Sequence, residues 1–135
     1  MLLVALGPAL TAVAAVPWFV TQDGPAHLYN AEILARSFAA DSPFRQSYRV
    51  QWEPLPNWAG HLLLAALGAV APPRGANLAQ TALTLAGLAA SVLWLRASIA
   101  GARGFRIAAM LAAILSMNVV WLLGFTSFLL GASTS

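Results

Sequence analysis

The stretch TQDGPAHLYNA at residues 21–31 divides this chain, because a long hydrophobic segment ends there and the first polar region begins. Residues 2–20 before it are almost entirely apolar, and a membrane helix needs about 20 such residues. Gly24 followed by Pro25 is typical of a helix start, with Gly24 as N-cap and Pro25 at the first helical position. The stretch therefore predicts a helix that begins where a membrane segment meets water.

The composition of the whole chain is that of a membrane protein. Of its 135 residues, 60% are hydrophobic and only 8% are charged, whereas about 25% of residues are charged in soluble domains. Too few polar side chains remain to cover a water-soluble globule. The net charge of +3 is small and dispersed, which argues against a nucleic-acid-binding surface. The absence of cysteine excludes disulfides and thiolate metal sites.

Three further hydrophobic segments follow the polar region. Together with residues 2–20, they predict an all-α, polytopic helical membrane protein with about four transmembrane helices in a single domain, 1–135. These segments cover residues 57–71, 76–95 and 107–130. A cleaved signal peptide is the rival interpretation of the first segment, because Ala12-Val13-Ala14 resembles a cleavage site, but the positive n-region is missing.

Both ends of the chain lie at hydrophobic segments. The first segment begins at Leu2 with no basic residue before it, and Gly131–Ser135 comes directly after a hydrophobic run. We therefore expect the N-terminal portion of a larger polytopic protein, which would contact the rest of the same polypeptide or a membrane partner. A complete, small four-helix membrane protein is the alternative.

Residues 21–57 form the only extended polar region and contain all four acidic residues of the chain. The pattern predicts a helix from Pro25 to about Ala39. One of its faces is apolar, whereas Glu32 and Arg36 form an i,i+4 acid–base pair on the other. The predicted helix is therefore amphipathic and suited to lie along the membrane surface. The apolar face comprises Leu28, Ala31, Leu34, Ala35 and Phe38.

Asp23 and His27 are the candidate catalytic residues, because they place an acid and a histidine at a membrane boundary. Asp23 would act as a general base or a metal ligand, or alternatively as a turn residue beside Gly24. His27 follows four residues later and would help to orient Asp23, or would simply pack at the headgroup boundary. Two ligands do not make a metal signature, so a divalent metal cofactor is left open, with Asp23 as its candidate ligand.

Three other residues of the polar region are candidates for substrate binding. Arg45 and Arg49 have planar guanidinium groups that suit phosphate, although contact with lipid headgroups is the alternative. Tyr29 supplies a hydrogen-bonding hydroxyl near the helix start. Two further polar residues, His61 and Asn118, lie within predicted membrane segments. His61 is ionisable and therefore a candidate site, and Asn118 is expected to make an interhelical hydrogen bond.

The order of these features resembles the N-terminal part of GT-C-type membrane glycosyltransferases, especially bacterial mannosyltransferase-like members. The resemblance rests on DGPAHLYNA at residues 23–31, which opens a surface helix after the first membrane helix. It also rests on GFTSFLLG at residues 124–131, which is similar to a Gly-Phe-x-x-Phe-x-x-Gly pattern of that group. The chain is much shorter than such enzymes, so we expect this portion to be inactive alone.

The resemblance implies a polyprenyl-phosphate sugar as donor and a lipid, glycan or protein as acceptor. It gives Asp23 the role of base or metal ligand, and it implies that residues 21–57 lie on the external, periplasmic side of the inner membrane or plasma membrane. Four crossings and the excess of Arg would instead put this loop in the cytoplasm, and we follow the resemblance. The rival function is a non-enzymatic membrane module, such as a transporter fragment or an assembly partner.

Overall fold

A computed structural model describes residues 2–16, 21–51, 53, 57–101, 104–124, 126–127, 129 and 131. These residues form helices and turns, with no strand among them, so the predicted all-α class is confirmed. The helices are α1 (Leu2–Ala15), α2 (Gly24–Arg36), α3 (Phe44–Ser47), α4 (Trp58–Gly68), α5 (Pro73–Ala100), α6 (Phe105–Ser116) and α7 (Val119–Leu123).

Two helical units are long and apolar enough to cross a membrane. They are α5, with 28 residues, and the α6–α7 unit from Phe105 to Leu123, with 19 residues. The prediction of four spans is not shown. Helix α4 has 11 residues, or about 16 Å, and a bilayer core is about 30 Å thick. Helix α1 has 14 residues, and residues 17–20, where the first predicted segment ends, lie outside the described part of the chain.

The fourth predicted segment is not one continuous helix. Helix α6 ends at Ser116, and α7 begins at Val119 after a break at Met117 and Asn118. The Asn118 side chain accepts a hydrogen bond of 3.0 Å from the backbone N–H of Trp121. This bond caps the first turn of α7, as asparagine commonly does. The predicted interhelical role of Asn118 was therefore wrong, because its side chain bonds locally.

Helices α1, α5 and α6–α7 form one antiparallel bundle. Leu6 of α1 packs at the level of Leu93 on α5, whereas Val13, farther along α1, packs at the level of Leu85. The contact level thus moves backwards along α5, which shows that α1 and α5 are antiparallel. Buried alanines line much of the interface and permit close approach of the helices. They are Ala89, Ala109, Ala112 and Ala113.

The outward faces of this bundle carry large apolar side chains. A water-soluble protein rarely exposes a contiguous apolar surface of this kind, whereas a lipid-facing surface requires one. The exposed side chains of α5 and α6 include Val92, Trp94, Leu95, Ile99, Ile107, Met110, Leu111, Ile114 and Leu115.

A second layer consists of α2 packed on α4, and of α4 packed on the first turns of α5. Ala31, Leu64 and Ala76 form its buried centre, one residue from each helix. The layer lies at one end of the bundle, because α4 contacts the start of α5 and α1 contacts its later turns. The predicted amphipathic helix therefore packs its apolar face on α4. The predicted Glu32–Arg36 ion pair on its other face is confirmed.

The helix bounds differ from the predicted ones by a few residues. Asp23, not Gly24, is the N-cap of α2, and α2 ends at Arg36, not near Ala39. Helix α5 begins at Pro73, three residues before the predicted segment 76–95, because proline is compatible with the first helical turn.

Candidate functional site

The site is built where the first polar loop meets the end of α7. The backbone N–H groups of Gln22 and Asp23 donate hydrogen bonds of 3.0 Å and 3.1 Å to the carbonyls of Leu122 and Leu123. Carbonyls at the end of a helix have no partner within the helix, and here the loop supplies their donors. The two stretches of sequence on which the resemblance rests, residues 23–31 and 124–131, therefore begin next to each other, at Asp23 and Gly124.

The two stretches approach each other closely at Gly124. Its φ of +90° lies in the left-handed region that L side chains rarely adopt. A Cβ atom at this position would lie 2.7 Å from Thr21 Oγ1 and 3.2 Å from the backbone N of Asp23. Only glycine satisfies both the conformation and the space, so Gly124 permits the loop to close onto α7.

A pair of histidines links the loop, α4 and α7. Nε2 of His27 lies 3.0 Å from the carbonyl oxygen of Gly124, and Nδ1 of His27 lies 2.9 Å from Nε2 of His61. The two ring centroids are 5.1 Å apart. His27 is only 5% exposed, and each of its ring nitrogens makes one of these two contacts. Burial lowers the pKa of His61, and the neighbouring His27 lowers it further.

Gly60, one residue before His61, makes a second connection to the same motif. Its N–H donates to Ser127 Oγ at 2.9 Å, and its carbonyl accepts from Gln80 Nε2 at 2.9 Å. Thr126 Oγ1 is buried beside it and has no hydrogen-bond partner among the described residues. Helix α4 is therefore held against residues 126–127 by backbone contacts that require close approach.

Substitution of Gly60 by alanine should loosen this contact. The new Cβ would lie 2.8 Å from Thr126 Oγ1 and 2.9 Å from Ser127 Oγ, so α4 must shift away from both. We expect a loss of about 1–3 kcal/mol in the free energy of unfolding, measured by thermal denaturation in detergent. Gly68→Ala is the matched control on the same helix, because nothing lies within 4 Å of its added Cβ. Equal stability of the two variants would contradict the close packing at Gly60.

A cleft of about 260 Å³ opens beside His61, between α2, α4 and the segment after α3. We call it the His61 cleft. It combines a cation, a histidine, amide side chains and aromatic rings with an apolar wall. Its lining comprises Asn30, Ile33, Leu34, Tyr48, Arg49, Val50, Gln51, Trp58 and His61.

The predicted site residues are distributed unequally around this cleft. Arg49 lines it, whereas Arg45 is exposed on α3 and is not among the described lining residues. His27 is not among the described lining residues, but it contacts His61, which is. The Asp23 side chain makes no capping hydrogen bond and is also not among the described lining residues. Its catalytic role stays a prediction.

Tyr29 lies at the outer edge of the same region. Its hydroxyl is 3.1 Å from that of Tyr48, and both rings pack edge-on with Phe44 at centroid distances of 6.3 Å and 6.1 Å. The hydrogen bond with Tyr48 raises the pKa of Tyr29. Tyr29 therefore helps to fasten the segment after α3 to α2, and its predicted contact with substrate stays a prediction.

In the described ranges, no group of three or more His, Asp or Glu side chains is placed to hold a metal ion. Asp23 stays the metal ligand that the sequence predicts. Phe125, Phe128 and Leu130 of the second motif lie outside the described part of the chain.

Sequence reasoning singled out His27 and His61 separately and missed their contact. The two are 34 residues apart, and no periodicity joins them. It also missed Asn30 and Gln51 as cleft residues, and for Trp58 it favoured interfacial anchoring over the lining of a sugar site, since polar and aromatic side chains are common at membrane boundaries. No family model, no curated protein and no solved structure matches this chain.

Proposed function

We propose that this chain is part of a membrane glycosyltransferase that uses a polyprenyl-phosphate sugar, and that the His61 cleft holds the sugar phosphate. The observation that supports this proposal is the lining of the cleft. One concave site brings together a guanidinium group, an imidazole, amides and an indole ring. Binding sites of this kind pair apolar walls with a few convergent polar groups.

Each group of the lining suits one part of such a donor. The guanidinium of Arg49 would bind the phosphate through charge-assisted hydrogen bonds. The amides of Asn30 and Gln51 both donate and accept hydrogen bonds, as sugar hydroxyls require. The indole of Trp58 offers an apolar face for the C–H groups of a sugar ring.

The placement of α4 supports a topology with three crossings. In this arrangement α1, α5 and α6–α7 cross the bilayer, and α2, α3 and α4 lie together at one of its surfaces. Helix α5 is about 42 Å long, more than a bilayer core needs, and its first turns carry the polar residues Asn77, Gln80 and Thr81. These turns would extend out of the bilayer beside α4.

With three crossings, the arginines are divided differently between the two sides of the membrane. Arg96 and Arg106 lie beside the short loop between α5 and α6, at the end of the bundle opposite to the His61 cleft, and Arg103 lies between them in the sequence. Arginines in short loops favour the cytoplasmic side. With three crossings, Arg36, Arg45, Arg49 and Arg74 would lie on the side of the cleft, so the arginine count does not decide the orientation, and the external position of the cleft rests on the family resemblance.

In the proposed reaction, an acceptor hydroxyl attacks the anomeric carbon of the donor sugar. The bond between that carbon and the phosphate oxygen breaks, and the polyprenyl phosphate leaves with the electron pair. Arg49 would stabilise the negative charge of the departing phosphate. The hydroxyl proton passes to a base at the external surface: the sequence predicts Asp23 for this role, and His61 is the other candidate, because it lines the cleft.

Substitution of Arg49 by glutamine should weaken binding of the donor. The probe is farnesyl phosphate mannose, added to the full chain in lipid nanodiscs, with tryptophan fluorescence as the readout. We expect about a tenfold loss of affinity or more, because a hydrogen bond to a charged group contributes about 1.5–3 kcal/mol. The charge-matched control is Arg74→Gln, which changes an exposed arginine at the start of α5 on the same side.

Two outcomes would contradict the proposal. Equal losses for Arg49→Gln and Arg74→Gln would indicate general electrostatic attraction to the membrane surface, not a cleft. Failure of the native chain to bind farnesyl phosphate mannose would favour the non-enzymatic membrane module.

A further inference from the structure

We propose that Nδ1 of His61 is the proton acceptor of the His61 cleft, held in that role by His27 and the carbonyl of Gly124. The substrate class in this inference rests on the proposed function, whereas the choice of residues follows from their hydrogen bonds. The inference adds to the proposed function a base that lines the cleft.

The carbonyl of Gly124 determines the tautomer of His27. A carbonyl oxygen only accepts hydrogen bonds, so Nε2 of His27, 3.0 Å away, must carry the hydrogen. In the neutral ring the other nitrogen, Nδ1, then has a lone pair and accepts. The hydrogen in the 2.9 Å contact between the two rings must therefore come from Nε2 of His61.

The same reasoning leaves His61 with one basic nitrogen. A neutral imidazole that carries its hydrogen on Nε2 has its lone pair on Nδ1. Nε2 is engaged by His27, and no hydrogen bond joins Nδ1 to any residue that the structure describes. His61 also lines the cleft. The free lone pair on Nδ1 therefore belongs to a side chain that a ligand in the cleft would contact.

Burial and the proximity of His27 lower the pKa of His61, which favours the neutral ring near neutral pH. A general base must be unprotonated before it acts, and imidazole works best when its pKa lies near the operating pH. The environment of His61 therefore supports the protonation state that the geometry requires.

The proton transfer completes the reaction described above. As the acceptor oxygen bonds to the anomeric carbon, its proton passes to Nδ1 of His61, and the phosphate leaves with the electrons of the broken bond. His61 becomes an imidazolium, and its Nε2–H still donates to His27. His27 in turn donates to Gly124. This series of hydrogen bonds orients the base, as the third group of a catalytic triad does. His27 is a positioning residue, because both of its nitrogens are engaged away from the cleft.

The test is ¹⁵N NMR of the full chain in nanodiscs after labelling of histidine alone. The chain contains only two histidines, so four ring nitrogens account for the whole spectrum, and His61→Gln assigns them. We expect both Nε2 atoms to be protonated and both Nδ1 atoms to be unprotonated, with a coupling across the hydrogen bond between His27 Nδ1 and His61 Nε2. Protonation of His61 at Nδ1 would overturn the inference.

A second variant and a ligand complete the test. His27→Phe keeps an aromatic ring at this position but removes the nitrogen that accepts from His61, so His61 should become a mixture of tautomers. An unchanged tautomer of His61 would show that His27 does not position His61. Farnesyl phosphate mannose with methyl α-mannoside as hydroxyl acceptor should shift the Nδ1 resonance of His61. Arg49-dependent binding of the probes with no shift at Nδ1 would overturn this inference alone. Absence of binding would overturn the proposed function and this inference with it.

Discussion

Cysteines introduced at Ala40 and Val70 should react with a membrane-impermeant maleimide from the same side of the membrane, and a cysteine at Ser98 from the opposite side. The native chain has no cysteine, so each variant reports one position. All three positions are exposed, and Val70, in the turn between α4 and α5, is 85% exposed. With three crossings, no membrane helix separates Ala40 from Val70, whereas α5 separates both from Ser98.

Four crossings predict a different labelling pattern for the two pairs that include Ala40, whereas Val70 and Ser98 lie on opposite sides in both topologies. Residues 57–71 would then cross the bilayer, which puts Val70 opposite Ala40 and returns Ser98 to the side of Ala40. Labelling of sealed, right-side-out vesicles before and after permeabilisation measures the side of each cysteine. Ser42 is an unsuitable label position, because it is only 8% exposed. A result with Val70 opposite Ala40 would refute the surface position of α4.

Substitution of Gly124 by alanine should strongly destabilise the junction between the first loop and α7. The alanine would have to adopt a φ of +90° with its Cβ only 2.7 Å from Thr21 Oγ1. The strained backbone costs about 1–3 kcal/mol, and overpacking costs a similar amount, so we expect a loss of about 2–5 kcal/mol. The measurement is unfolding of the full chain in detergent by heat or by titration with dodecyl sulfate.

Two comparisons separate the causes of this loss. Gly7→Ala adds a Cβ inside α1 with nothing within 4 Å of it, and should leave stability unchanged or raise it by about 1 kcal/mol, since alanine favours helix. The double variant Thr21→Ala/Gly124→Ala removes the clashing hydroxyl but not the backbone strain, and should recover part of the stability. Equal stability of Gly124→Ala and Gly7→Ala would contradict the close approach at Gly124.

Local features of the fold were predictable because their causes lie within a few residues. The spacing of Glu32 and Arg36 puts their side chains on one face of a helix, and the ion pair is confirmed. The Gly-Pro pair correctly located the start of α2 to within one residue. Asn118 shows the limit of this approach: its position in an apolar run predicted a contact between helices, but its side chain caps the turn that follows.

Composition and periodicity act on each segment separately, and they are enough to predict a helical, apolar protein that is interrupted by one polar region. The packing of α4 with α2 at one end of the bundle, and the contact of residues 21–27 with Gly124, are instead properties of the tertiary structure. Contacts such as His27 with His61, and His27 with Gly124 at a separation of 97 residues, depend on how whole helices pack. The spacing of residues in one segment contains no information about that packing.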